Sequence, residues 1–203
     1  MEINKAKLRI GVTGGIGTGK TTVCRIFEAL GYPVFYADTE AKNVMVSDPE
    51  LVEQIKVTFG EEVYTKEGNL DRKLLSNIVF HDRAKLDKLN ALVHPATLRA
   101  YENWERQQQA PLSFKEAALL FETGSHQLSD YNILVTAPRE LRIKRVMERD
   151  QVTSESVLAR IDKQMSDEAK SKLADFIIDN SGDRALIPQV LKITESLLAS
   201  LST

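Results

Sequence analysis

Cysteine is nearly missing from this chain. Its 203 residues contain one, Cys24, so no internal disulfide can form. One thiol and three scattered histidines cannot build a metal cluster. Cys24 follows Val23 on an apolar stripe and reads as core packing. A strong charge of either sign is also absent. The net charge is −2, which argues against a general nucleic-acid binder, though a small local basic patch stays compatible with it. No apolar run approaches membrane-spanning length. The opening "MEINKAKLRI" is too short and too charged for a signal peptide. These absences set the expectation of a reduced, cytoplasmic protein with neither membrane nor nucleic-acid partner. There are no internal repeats and no low-complexity linker. The nearest approach to one is "RQQQAPLS" (Arg106–Ser113). What is present suits one domain with an inserted lobe: 42% apolar residues, enough for a core, and 28% charged ones.

The most informative stretch is "GVTGGIGTGKTT" (Gly11–Thr22). Before it, "LRIGVT" (Leu8–Thr13) alternates apolar residues with others and reads as a buried strand. After it, Val23, Ile26, Phe27 and Leu30 fall at i, i+3, i+4 and i+7, one face of a helix that Gly31 can end. Gly14-x-x-x-x-Gly19-Lys20-Thr21 fits the phosphate-loop pattern, and the strand before and helix after are its confirming context. The residue types follow from the task. Glycines let the backbone approach a phosphate and accept positive φ. Successive N–H groups then form an anion nest at the positive end of a helix. Gly14, Gly15, Ile16, Gly17, Thr18, Gly19, Lys20, Thr21 and Thr22 are therefore the candidate ATP-binding set. Lys20 is a mobile charge for the outer phosphates, and the Thr21 hydroxyl is the candidate ligand for Mg²⁺. A GTPase would need N-K-x-D, which is absent. The lone D-x-x-G (Asp179–Gly182) follows the last strand and reads as chance.

Further strand-like runs are "PVFYAD" (Pro33–Asp38), "AALLFE" (Ala117–Glu122), "YNILVTA" (Tyr131–Ala137) and "FIID" (Phe176–Asp179). They alternate with helical stretches, which predicts an α/β fold: a three-layer core with a parallel sheet between helices. Ligands of such sheets sit beyond the carboxyl ends of the strands. Thr13, Asp38 and Glu122 all fall at such ends. Asp38 has two open readings, a carboxylate that accepts the proton of an attacking hydroxyl and the N-cap of the following helix. Glu122 is either a loop carboxylate or a partner for a substrate group or for waters on Mg²⁺.

Between Thr39 and Ala110 the pattern is helical, with stripes at Leu51/Ile55/Phe59, Leu74/Leu75/Ile78/Val79 and Leu86/Leu89/Leu92/Val93. Pro95 is expected to break the last of these, with a further helix carrying Leu98, Tyr101 and Trp104. Roughly seventy residues between strands far exceed a usual crossover, so a helical lobe for the acceptor is expected. His94, beside the expected break, has two open readings, a capping or packing residue and a substrate contact. In "PRELRIKRVMERD" (Pro138–Asp150), Arg142, Arg145 and Arg149 share one helical face. Such a stripe is often a solvated surface. Here it makes a plausible lid whose planar donors suit a transferring phosphoryl group. Serines opening "SESVLARIDKQM" and "SDEAKSKLADF" are N-cap candidates, and Arg160 and Lys163 could extend the basic surface.

Taken in order, these segments resemble the dephospho-CoA kinase family over nearly the whole chain. The resemblance rests on "TGGIGTGKTTV", "GYPVFYADTEAK", "LNALVHP", "ALLFETG", "KRVMERDQVTSESVLARIDKQMSDEAK" and "ADFIIDNSGD". It implies a phosphate-loop kinase with a core of residues 7–38, 112–138 and 174–203, a substrate-binding insert at about 39–111 and a lid at about 139–173. The implied reaction is transfer of the ATP γ-phosphoryl to the ribose 3′-hydroxyl of dephospho-CoA, the last step of coenzyme A synthesis. In it Gly17–Thr22 hold the phosphates, Thr21 holds Mg²⁺, Asp38 orients or deprotonates the hydroxyl, and Arg145 with Arg149 neutralise charge. A monomer or weak homo-oligomer is expected. The family often has Asp-Ala-Asp where this chain has Tyr36-Ala37-Asp38, so the role is expected to rest on Asp38. It commonly has glutamine near Arg142, so the lid role is carried over to Arg145 and Arg149 first.

Overall fold

The computed structural model describes residues 7–80 and 82–201. Along the chain run β1 (Leu8–Thr13), α1 (Lys20–Ala29), β2 (Val34–Tyr36), α2 (Ala37–Ser47), α3 (Pro49–Phe59), α4 (Arg72–Phe80) and α5 (Arg83–Arg106). Then follow β3 (Leu112–Glu116), β4 (Tyr131–Thr136), α6 (Arg139–Asp150), α7 (Ser154–Ile161), α8 (Asp167–Ser171), β5 (Phe176–Asp179) and α9 (Leu186–Ser200). Two compact units result. One holds the chain up to Tyr36 and from Gln108 onward, and the other is Ala37–Gln107.

The first unit is built on a five-stranded sheet in the order β2-β3-β1-β4-β5. All four pairings are parallel, as Leu8 opposite Leu112 and Val34 opposite Phe114 illustrate. The α/β expectation holds. Alternate strand residues Leu8, Ile10, Val12, Leu112, Phe114, Ile133 and Val135 join Val23, Cys24 and Phe27 of α1 and Val190, Ile193 and Leu197 of α9 in one core. Phe27 and Phe114 stack with ring centroids 3.9 Å apart. Cys24 is fully buried, as its apolar stripe suggested, and burial pushes its thiol up, which keeps it protonated and inert.

Two strand expectations change here. The expected strand at Ala117–Glu122 is a run of turns, and the strand is Leu112–Glu116. Its residues Ser113, Lys115 and Glu116 hide it from a search for apolar runs, yet all five positions are buried. Burial without bulk water pulls Lys115 down to about 8. The apolar Leu120 and Phe121 are buried too, but from a turn. The second strand is also shorter than expected. It ends at Tyr36, and Asp38 lies in the first turn of α2.

The second unit packs α2–α5 around Val44, Leu51, Ile55, Phe59, Val63, Leu75, Val79 and Ala96. Pro95 does not break its helix. α5 runs through it for 24 residues. Proline removes one N–H and crowds the preceding turn, but packing of α5 on α2, α3 and α4 outweighs that local cost. Among the expected caps, Ser166 holds α8 through Ala169 N, while Thr153, one residue before the expected Ser154, caps α7.

Candidate functional site: the phosphate loop and its supports

β1 delivers the chain at Thr13 into the loop, and α1 takes it up at Lys20. Gly17 (φ 80°) and Gly19 (φ 90°) adopt the left-handed conformation that side chains resist. Gly19 occupies the N-cap position of α1 and offers no side-chain cap. The helix therefore opens with its positive end toward whatever the loop encloses. The Gly17 and Gly19 amides have no protein acceptor among the described residues. Lys20 is buried and folds back over the loop, with Nζ 2.9 Å from Gly14 O and 3.4 Å from Gly15 O. Thr18 is also buried, and its hydroxyl donates to Gly15 O at 2.9 Å. Thr21 and Thr22 are exposed on the first turn of α1.

The loop is gripped from behind. Ile16 N donates to Gln164 Oε1 at 2.8 Å, so that amide faces a side chain and not the loop's hollow. Ile16 O accepts from Arg142 Nε at 2.9 Å, and Arg142 also pairs with Asp167 at 3.0 Å. Thr18 O accepts from Asn180 Nδ2 at 2.7 Å. A Cβ on Gly15 would collide with the Arg142 guanidinium, and one on Gly19 with the Asn180 amide. The glycines thus admit side chains behind the loop as well as a ligand in front.

The arginine stripe divides. Arg142, given the least weight in the sequence, is almost wholly buried against the loop. Arg145 donates to Asn180 O at 3.1 Å, and its buried Nη1 has no partner among the described residues. Arg149 is not brought to the loop. It makes a two-pronged pair with Asp150 at the exposed end of α6. Arg160 joins the same carboxylate. The Arg149 fork, followed by Arg160, holds the Asp150 carboxyl far below the usual carboxylate range.

Glu122 does not end a strand. Its Oε1 lies 2.9 Å from the buried Lys170 Nζ and accepts from Met165 N at 3.0 Å, so it braces the segment between α7 and α8. The carboxylate at the carboxyl end of β3 is Glu116, buried and in register with Tyr36 and Val12. Its charge reaches both Cys24 and Tyr36. The apolar run Ala117–Glu122, taken for the strand, places Glu122 at that end instead. Thr13 is fully buried, and its hydroxyl has no partner among the described residues. Tyr36, where the related family often has an acid, donates to Glu28 at 3.0 Å. Burial, then that bond, pushes its phenol up, so it is not a base at neutral pH. Asp38 and His94 belong to the second unit, both exposed. Asp38 is the second residue of α2, and His94 lies mid-way along α5. Asp38 is thus inside the first turn, not at the cap, where its charge still favours the helix start.

A buried lysine, uncapped amides and a nearby arginine with a spare donor make a cradle whose chemistry suits an anion. The family assignment follows from the match of residues 8–185 to the family model for dephospho-CoA kinase. The chain belongs to the dephospho-CoA kinase family. A dephospho-CoA kinase from Chlorobium chlorochromatii is 40% identical over 204 residues, covering 96% of each chain. The solved dephospho-CoA kinase from Campylobacter jejuni superposes with a TM-score of 0.64 at 30% identity, covering 95% of this chain and 98% of that one. A Thermus thermophilus protein superposes with a TM-score of 0.85 at 37% identity, covering 96% and 99%. A dephospho-CoA kinase is a phosphotransferase, and the cradle is the part of this chain suited to the nucleotide that such a kinase uses. No helix among the described residues is long and apolar enough to cross a membrane.

Proposed function

We propose that this chain transfers the γ-phosphoryl group of ATP, with Mg²⁺, to the ribose 3′-hydroxyl of dephospho-CoA, giving coenzyme A and ADP. The observation that carries the reading is the uncapped start of α1 behind Gly17 and Gly19, with Lys20 folded over the loop. Residues Gly17–Thr22 hold the phosphates through backbone N–H groups, and Lys20 moves from the loop carbonyls to the outer phosphates. Arg145 turns its unused guanidinium nitrogen to the charge that spreads over the transferring group. Asp38 accepts or orients the acceptor hydroxyl's proton. An exposed carboxylate on the first turn after β2 is free to do so. Thr21 Oγ1 and the Glu116 carboxylate are hard oxygen donors of the kind that suit Mg²⁺, which when bound shields the phosphate charge. The helical residues at about 39–111 take the acceptor, and residues at about 139–173 form the lid. The same reading makes it a cytoplasmic enzyme, a monomer or weak homo-oligomer acting on small molecules and not on nucleic acid. The test is ADP release from Mg-ATP with and without dephospho-CoA, the product weighed by mass spectrometry. Acceptor-dependent ADP with a product one phosphoryl heavier is expected. ATP binding with no such product would replace the reading with another acceptor or a non-catalytic nucleotide switch.

A further inference from the structure

Ile16 sits at the back of the phosphate loop, and both of its backbone polar groups are held by side chains from the α6–α8 region. Its N–H donates to Gln164 Oε1 at 2.8 Å, and its C=O accepts from Arg142 Nε at 2.9 Å. The described chain has no cis peptide, so in each peptide the C=O and N–H point opposite ways. Holding Ile16 N–H backward turns the Gly15 carbonyl forward. That is where Gly15 O is found, accepting from Thr18 N at 3.2 Å, Thr18 Oγ1 at 2.9 Å and Lys20 Nζ at 3.4 Å. Holding Ile16 C=O backward turns the Gly17 N–H forward, and that amide has no protein acceptor among the described residues.

We propose that Gln164 is a positioning residue for the nucleotide phosphates. With Arg142 it fixes the two peptide planes flanking Ile16, so that Gly17 N–H and the Lys20 perch on Gly15 O are set before ATP arrives. Glycine at 15 and 17 leaves those planes soft, since glycine resists rotation least. An acceptor at 164 supplies the stiffness the loop itself lacks. Arg142 is in turn braced by Asp167, so both grips come from one stretch of chain. This rests on the reading that the loop holds ATP phosphates.

The decisive comparison uses three full-length proteins: wild type, Gln164→Met, which keeps the length but loses the acceptor, and Gln164→Glu, which keeps an acceptor oxygen. ADP affinity by calorimetry and the KM values for both substrates are measured. Gln164→Met is expected to weaken ADP binding and raise the ATP KM about five- to tenfold, the size of one lost hydrogen bond. The dephospho-CoA KM stays unchanged, and Gln164→Glu recovers most of the loss. Unchanged ADP affinity in Gln164→Met, or equal losses in both variants, would overturn the role of Gln164. Failure of the wild type to bind ADP would instead overturn the phosphate-loop reading beneath it. Should the Met variant not fold, amide exchange on the wild type decides. Without nucleotide the Ile16 amide is expected to exchange more slowly than the Gly17 amide, and ADP is expected to slow Gly17. Equal rates at the two positions in the free protein would sink the proposal.

Discussion

Asp38 shows how much a single side chain can be asked to do. It is exposed, it stands in the first turn of α2, and it follows Tyr36, whose hydroxyl is occupied by Glu28. Tyr36 is pushed up out of the range of a base, which leaves Asp38 as the carboxylate in "YAD" to which the proposed proton role falls. Asp38→Asn keeps the shape and removes the proposed base. We expect kcat to fall about 10²- to 10⁴-fold, the usual worth of a general base, while the Kd for ADP moves less than about twofold. Steady-state kinetics beside calorimetry check this. Turnover within a few fold of wild type would remove Asp38 from the chemistry. Arg142 carries the complementary lesson. Position 142 lies on the same stripe as 145 and 149, and spacing alone gave no reason to prefer it. Only the folded contacts show that it braces Ile16 while Arg149 is spent on Asp150.

At the scale of elements, the fold was legible in the sequence where independent physical signals agree. β1, the glycine loop and α1 were legible because alternation, positive-φ glycines and helical periodicity agree over one short stretch. β5 was legible at its true bounds for the same reason. β3 was not, because "LSFKE" buries a lysine and a glutamate that no apolar search would select, and the greasier "AALLF" five residues further on draws the strand to itself. The error carried into the site, replacing Glu116 with Glu122. Gln164 and Asn180 were invisible as supports of the loop, since they lie 148 and 162 residues from their partners Ile16 and Thr18. Pro95 misled in the opposite sense, as a local breaker overruled by packing. It is exposed, so its replacement costs little burial. Pro95→Ala restores an N–H to the middle of a 24-residue helix. Against about 3 kcal/mol of intrinsic preference, reduced by the rigidity proline gives the unfolded chain, we expect a net gain of about 1–2 kcal/mol in urea unfolding. A loss would mean that α5 depends on its proline.

For the whole molecule, the chain divides its labour between two cores. The sheet core joins Ile10, Phe114 and Ile133 to α1 and α9, while the helical unit closes on Leu51, Ile55, Val63 and Leu75. The loop and each support named for it, Arg142, Gln164, Asp167 and Asn180, belong to the sheet unit. A nucleotide seated on Gly17–Thr22 would therefore stabilise a network made of the loop and the start of α1, α6, the α7–α8 connection, α8 and the residue after β5. Ligand that binds only the folded form adds about 2.7 kcal/mol at a hundred times its Kd. With ADP at that level, hydrogen exchange should slow in residues 11–24, along α6 and around 164–170 and 180. The core amides of α3 and α4 should change far less. Slowing of equal size in α3 and α4 would mean that the two units open together, so that filling the phosphate loop also commits the helical unit proposed to take the acceptor.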